Sequence, residues 1–147
     1  KPLCVVATTC QLSDIGRRNL DNLKSLGVDC LEFSTNPKVR ATLNRIGLFD
    51  VGDISWPEHV SIFTVPPRVA TQYNIPLLIW GENPQHEFGG PEANAHAKIL
   101  DRRWLEEFGG LIGLRVTDLI GQEGIEEHHL IQYTYPSDAG VWQLGRK

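Results

Sequence analysis

The 147-residue chain has no methionine, only three cysteines and no surplus of positive charge. Cys4, Cys10 and Cys30 are odd in number and lack CxxC spacing, which argues against a disulfide framework or a thiolate zinc site and favours a reducing cytoplasm. A net charge of −4 argues against a nucleic-acid-binding surface. No apolar run approaches the roughly 18 residues of a membrane helix. The composition therefore predicts one globular domain, without membrane attachment, that acts on a small molecule.

Apolar runs and helical periodicity alternate through the first third of the chain. Short β-rich runs predict strands over Leu3–Ala7 and Val28–Phe33. Leucines at helical spacing predict a helix from about Asp14 to Leu26, and Asn36-Pro37 opens a second helix that we expect to end at Ile46 before Gly47. The order strand, helix, strand, helix indicates an α/β fold with parallel strands and right-handed crossovers.

A third helix and a third strand are predicted next. The helix begins near Pro57 and reaches about Tyr73, and Pro66-Pro67 should kink or restart it. The apolar run Pro76–Trp80 predicts a buried central strand that ends at Gly81-Glu82-Asn83. Ligands of open α/β sheets bind at such strand ends, although an ordinary core strand followed by a turn explains the pattern equally well.

The last third of the chain has weaker patterns. Residues 84–97 predict a long loop, which in a compact domain is more often functional than not. The sequence further predicts a helix, two apolar-periodic segments that are helical or mixed, and a final short strand, over Asp101–Phe108, Leu111–Ile120, Ile125–Ile131 and Tyr133–Pro136 respectively.

Two pairs of polar residues are candidates for chemistry. Glu58 and His59, at a helix N-terminus, fit a proton-transfer pair or substrate contacts, but an acidic first turn also complements the helix dipole. Arg102 and Arg103 suit a phosphorylated or nucleotide-linked sugar; alternatively they pair with Glu106 and Glu107 on a solvated helix face. The five histidines include no pair at the i, i+4 spacing of a helical zinc site, so no metal ligands are predicted from them.

Taken together, several stretches resemble one family, the N-acetyl sugar amidotransferases of surface-polysaccharide biosynthesis, which belong to the PP-loop ATP pyrophosphatases. The most distinctive are Ile75-Pro76-Leu77-Leu78-Ile79-Trp80-Gly81-Glu82-Asn83-Pro84-Gln85 and Asp101-Arg102-Arg103-Trp104-Leu105. The others are Asn36-Pro37-Lys38-Val39, Leu43-Asn44-Arg45-Ile46-Gly47, Trp56-Pro57-Glu58-His59, Ile62-Phe63-Thr64-Val65-Pro66 and Tyr133-Thr134-Tyr135-Pro136-Ser137-Asp138. They span most of the chain in order.

The resemblance implies a Rossmann-like adenine-nucleotide α-hydrolase fold, with a mostly parallel sheet and flanking helices, and a reaction that uses ATP and Mg²⁺. In such enzymes the acetamido oxygen of an N-acetyl sugar is adenylated with release of pyrophosphate. Ammonia from a glutamine-hydrolysing partner then displaces AMP to give an acetamidino group. The site residues that the resemblance implies are catalytic Glu58, His59 and Glu82, nucleotide-binding Ala7, Thr8, Thr9, Gly81 and Asn83, and substrate-binding Arg102 and Arg103.

The chain departs from the family in one respect that affects catalysis. The Ser-Gly-Gly-Lys-Asp-Ser type loop, which holds pyrophosphate, is not found among these residues, and Gly89-Gly90 lacks the Ser and Lys partners. Since the chain also starts at Lys1 and enters an apolar run at once, we expect residues 1–147 to be a single-domain fragment with little activity of its own. The alternatives are a noncatalytic nucleotide-binding or partner-docking domain and a tRNA-modifying relative, which the acidic balance disfavours.

Overall fold

A computed structural model describes residues 1–7, 12–81, 102–107 and 111–145, and the side chains up to residue 141. Within these ranges the protein is a mixed α/β structure with a small two-stranded parallel sheet and several helices. None of these helices is both long and apolar enough to cross a membrane. Several predictions lie outside the described residues: the loop over 84–97, the start of the predicted helix at Asp101, and the site residues Thr8, Thr9, Glu82 and Asn83.

The chain opens with a β–α–β unit, as the sequence predicted. Strand β1 (Leu3–Val6) pairs in parallel with β2 (Asp29–Glu32), and helix α1 (Asp14–Ser25) connects them. Helix α1 begins at Asp14 because the Ser13 hydroxyl accepts a hydrogen bond of 3.2 Å from the backbone N–H of Gly16. Glu32, at the end of β2, binds Lys24 Nζ at 2.5 Å and Arg17 Nη1 at 2.7 Å. These ion pairs tie α1 to the sheet.

Helix α2 (Pro37–Val51) is longer than the sequence predicted. Its start is as expected, since the Asn36 side chain accepts a hydrogen bond of 2.9 Å from Lys38 N. The predicted end before Gly47 is wrong. Gly47 is a buried residue inside the helix, and the left-handed residue that ends it is Gly52, with φ of 75°.

Helix α3 (Trp56–Tyr73) is continuous, although Pro66 and Pro67 lie inside it. Pro66 has no N–H to donate to the carbonyl of Ile62, four residues earlier. The indole Nε1 of Trp80 takes the place of that donor and lies 3.2 Å from Ile62 O. The indole of Trp80 therefore satisfies a carbonyl that the proline would otherwise leave unpaired.

The central strand predicted over Pro76–Trp80 is wrong for the described residues. Residues 75–80 have no assigned strand, and Leu77 and Ile79 are 70% and 80% exposed. Leu78 and Trp80 are half-buried, so the burial alternates along the segment as in a strand with one packed face. The continuous apolar run predicted a fully buried strand, which this pattern contradicts, and a strand also requires a hydrogen-bonded neighbour. The described sheet contains only β1 and β2.

The last part of the chain is largely helical. Helix α4 (Arg102–Glu107), three short 3-10 helices (Val116–Leu119, Gln122–Gly124 and Glu127–Tyr133) and helix α5 (Asp138–Gly145) follow one another. The strand predicted over Tyr133–Pro136 is wrong, because Tyr133 ends the third 3-10 helix and residues 134–137 have no assigned strand. The Tyr133 ring turns inward, and its hydroxyl lies 3.1 Å from Thr35 Oγ1.

The hydrophobic core lies between α2, α3 and the C-terminal third rather than on the small sheet. Trp56, Phe63, Leu43 and Leu105 are completely buried there, whereas no residue of α1 is buried and the strands are at most half-buried. The Trp56 ring lies 6.4 Å from that of Tyr133, and its Nε1 donates to Leu111 O at 3.1 Å. Helix α3 is thus the element on which the described structure packs.

Candidate functional site

The first turn of α3 holds the predicted pair Glu58 and His59, and the two side chains have different partners. Asp53 Oδ2 lies 2.7 Å from His59 Nδ1, and Asp53 Oδ1 accepts a hydrogen bond of 2.8 Å from Ser55 N. An ionised carboxylate can only accept, so the proton of the neutral imidazole is placed on Nδ1. An Asp–His pair of this kind fixes the ring orientation and tautomer, as general acid–base sites require.

Glu58 lies against α2 instead. One of its carboxylate oxygens binds Arg40 Nε, and the other accepts from Asn44 Nδ2 at 2.9 Å. Asn44 Nδ2 also lies 2.5 Å from Ile54 O, in the turn between the helices. Both carboxylate oxygens are thus engaged within the protein. This geometry suits a residue that fixes α2 against α3 and thereby holds the turn that carries Asp53.

Of the predicted nucleotide-binding residues, only Ala7 and Gly81 lie in the part of the chain that the structure describes, and a second feature near them is a groove of about 640 Å³ along β1. The groove is lined on one side by β1 residues such as Leu3 and Val5, and on the other by the segment from Leu77 to Gly81. Gly81 therefore faces the groove. Ala7 directly follows β1 but does not line the groove.

The predicted substrate residues separate on α4. Arg103 is 83% exposed and its Nε lies 3.0 Å from Glu107 Oε1, so it forms the i, i+4 pair of a solvated helix face. Arg102 also pairs within the helix, with Nε 2.7 Å from Glu106 Oε1, but both of these residues line a cleft of about 470 Å³. The backbone N–H of Arg102 donates to Asp138 Oδ1 at 3.0 Å, which attaches α4 to the start of α5.

The cleft contains two further arginines that the sequence did not single out, Arg68 from α3 and Arg115. Arg68 Nη2 donates to Thr134 O at 2.5 Å, and burial lowers the pKa of its guanidinium. A proline-rich helix gave no reason to select Arg68 from the sequence. Its position, between the buried residues Pro67 and Val69, was the only available signal, since a charged residue inside an apolar run invites a partner.

The Asp53–His59 pair and the cleft lie at different levels of α3. Nine residues separate His59 from Arg68, which corresponds to about 14 Å along the helix axis at 1.5 Å per residue. One small group therefore does not touch both. Nine residues also make about 2.5 helical turns, so the two side chains leave α3 on opposite faces. The Asp53–His59 pair and the cleft are therefore separate features of the described structure.

Comparison with known proteins adds no relative to this picture: no protein-family model matches the chain, and no curated protein matches it.

Proposed function

We propose that the chain is part of an ATP-dependent amidotransferase with a PP-loop-type, Rossmann-like fold that converts the acetamido group of an N-acetyl sugar to an acetamidino group. The substrate oxygen attacks the α-phosphorus of ATP and pyrophosphate leaves. Ammonia, supplied by a glutamine-hydrolysing partner, then attacks the activated carbon, and the C–O bond to AMP breaks.

One observation supports this proposal most directly: the stretches that resemble the family meet around α3. Trp56 opens α3 in the core, and Trp80 bonds the carbonyl of Ile62 in the same helix. Leu105, next to the Asp-Arg-Arg-Trp stretch, is buried in that core together with Tyr133. Residues far apart in sequence thus form one packed unit, as expected if they share one function.

Within this proposal His59 is the best-placed residue for proton transfer. Asp53 holds the imidazole in one orientation, so His59 is suited to accept a proton from the attacking ammonia as the C–N bond forms. Glu58 has its oxygens occupied by Arg40 and Asn44 and is assigned a positioning role. Arg102 is assigned to the sugar nucleotide, because it lines the cleft and Arg103 does not.

The nucleotide is assigned to Ala7, which directly follows β1, and to Gly81, which lines the groove beside β1. The described residues include no group of three metal-ligating side chains.

The test is pyrophosphate release by a protein that joins these 147 residues to a Ser-Gly-Gly-Lys-Asp-Ser type loop. ATP, a nucleotide-linked N-acetyl sugar and ammonium are supplied together, and each is omitted in turn. We expect release only with ATP and sugar present, and an amidine product only when ammonium is added. His59→Gln should lower the rate of amidine formation by about 10²-fold or more. Failure to bind ATP or to release pyrophosphate would reject the proposal.

A matched control separates the two residues of the first turn. Glu58→Gln keeps an acceptor for Asn44 and removes the charge that pairs with Arg40, so we expect reduced stability with a smaller effect on rate than His59→Gln. If Glu58→Gln abolishes turnover in a fully folded protein, Glu58 and not His59 has the chemical role.

A further inference from the structure

The cleft beside α3 has an unusual distribution of charge. Three arginines line it, Arg68, Arg102 and Arg115, together with the glutamates Glu106 and Glu127. Arg102 and Glu106 offset each other, because their side chains form an ion pair at 2.7 Å. Among the described residues, neither Arg68 nor Arg115 forms an ion pair with Glu127 or with any other acid. The lining therefore keeps two arginines without a carboxylate partner and one exposed glutamate.

Arg68 is the less exposed of these two arginines. Its Nε is buried and has no hydrogen-bond partner, while Nη2 donates to the carbonyl of Thr134. A guanidinium carries five N–H donors and stays protonated at neutral pH. Because the Nε is buried, a ligand in the cleft would meet the terminal nitrogens of the guanidinium instead.

The charges on the cleft lining indicate the kind of ligand. A guanidinium pairs with the oxygens of a carboxylate or a phosphate, and a second, exposed cation on the same lining, Arg115, suits the higher charge of a phosphate. The cleft volume of about 470 Å³ is that of a site for a drug-sized ligand, within the usual range of roughly 300–1,000 Å³. The expected ligand is therefore larger than a free phosphate ion.

We propose that this cleft binds a phosphate group of a larger ligand, with the half-buried Arg68 as one cation and Arg115 as the second. The inference rests on the proposed function only for the source of the phosphate, which is then the diphosphate of the nucleotide-linked sugar.

The first experiment measures binding of inorganic diphosphate to the 147-residue chain by calorimetry at low salt. We expect saturable binding that weakens at least tenfold in Arg68→Lys, which keeps the charge and loses the fork, and in Arg115→Met. Arg115 is exposed, so its replacement leaves folding intact. Arg18→Met is the matched control, since Arg18 is an exposed arginine outside the cleft, and it should change the affinity by less than twofold.

Two outcomes would overturn the site. One is the absence of saturable binding to the wild-type chain. The other is an equal loss in Arg18→Met and Arg115→Met, because that would mean the diphosphate senses only the overall charge.

The second experiment identifies the source of the phosphate by competition. UDP-N-acetylglucosamine and ATP are each titrated against bound diphosphate, with the Arg115→Met variant alongside. Stronger displacement by the sugar nucleotide supports the assignment, and displacement by ATP alone overturns it. If diphosphate binding needs Arg68 and Arg115 but the loop-extended protein releases no pyrophosphate, the phosphate site stands and the proposed function is rejected. If the loop-extended protein forms the amidine but no such binding is found, the proposed function stands and the phosphate site is rejected.

Discussion

Replacement of Gly47 by alanine provides a sensitive test of how α2, the turn after it and α3 fit together. A Cβ built on Gly47 lies 2.6 Å from the backbone oxygen of Asp53 and 2.6 Å from Trp56 Cβ. Both separations are about 1 Å shorter than the optimum of roughly 3.5–4.0 Å for carbon contacts. Neither neighbour moves easily, since Asp53 N donates back to Gly47 O at 3.1 Å and the Trp56 side chain is completely buried.

The expected magnitude follows from two opposing effects. Alanine gains at most about 1 kcal/mol over glycine from helix propensity. Overpacking of a rigid core site costs about 1–3 kcal/mol, and two simultaneous contacts place Gly47→Ala at the upper end of that range. The net loss in the free energy of unfolding should be about 2 kcal/mol. For a chain of this length this corresponds to a fall in Tm of roughly 4–8 °C.

The assay is urea unfolding followed by circular dichroism, with Gly16→Ala as the matched control. Gly16 also lies in a helix, but its nearest neighbour to an added Cβ is the flexible Leu12 side chain at 3.4 Å. Gly16→Ala should therefore be neutral or stabilising by up to about 1 kcal/mol. If Gly47→Ala is as stable as the wild type while Gly16→Ala behaves as expected, the close approach of α2 to Trp56 is refuted.

Three further predictions concern other parts of the molecule. Trp80→Phe should lower the free energy of unfolding in urea by about 1–3 kcal/mol, because Ile62 O loses its donor. The loss should be smaller in a Pro66→Ala background, which restores a backbone N–H. Equal losses in both backgrounds would contradict the role of Trp80. Hydrogen bonds from Lys24 and Arg17 lower the pKa of Glu32 from its ordinary value of 4.5, so its contribution to stability is fully present above that pH and is lost as the pH falls through the lowered pKa. Glu32→Gln should accordingly flatten the acid limb of stability against pH in chemical denaturation, and an unchanged limb would show that the pairs do not form in solution. Burial raises the pKa of the Cys30 thiol, so iodoacetamide should modify it more slowly at pH 7 than a free cysteine, as followed by mass spectrometry; a faster reaction would contradict its burial.

The parts of the fold that could be predicted from sequence are those that local chemistry determines. Ser13 and Asn36 are helix caps whose side chains act on backbone groups two or three residues away, and both predicted helix starts are confirmed. The end of α2 was mispredicted because glycine at position 47 has two readings. It permits a left-handed helix end, and it also permits close packing. Only the position of Trp56, nine residues further on, decides between them.

The same distinction explains the apolar segment from Pro76 to Trp80. Its continuous hydrophobicity predicted a buried strand, whereas Leu77 and Ile79 are exposed, and strand formation also depends on a neighbour that hydrophobicity does not specify. The Trp80 indole donates to the carbonyl of Ile62, which Pro66 leaves without a backbone donor. No local sequence pattern reveals this contact, because the two residues are 18 positions apart. The segment that was predicted to be a strand thus packs against the proline-containing helix α3 through Trp80.

For the candidate site, the sequence indicated which residue types could do chemistry, but it did not indicate which residues they contact. His59 and Arg102 were selected from the sequence as chemical candidates, and the structure supplies Asp53 beside one and a cleft beside the other. Arg68 was missed because its position only becomes unusual once its surroundings are known. A guanidinium on a solvated helix face needs no explanation, whereas one with a buried, unpaired Nε next to a ligand-sized cleft does. Helix α3 carries both His59 and Arg68, on opposite faces, so its position fixes the Asp53–His59 pair and the cleft alike. Any change that shifts α3, including Gly47→Ala through Trp56, should therefore affect both features together.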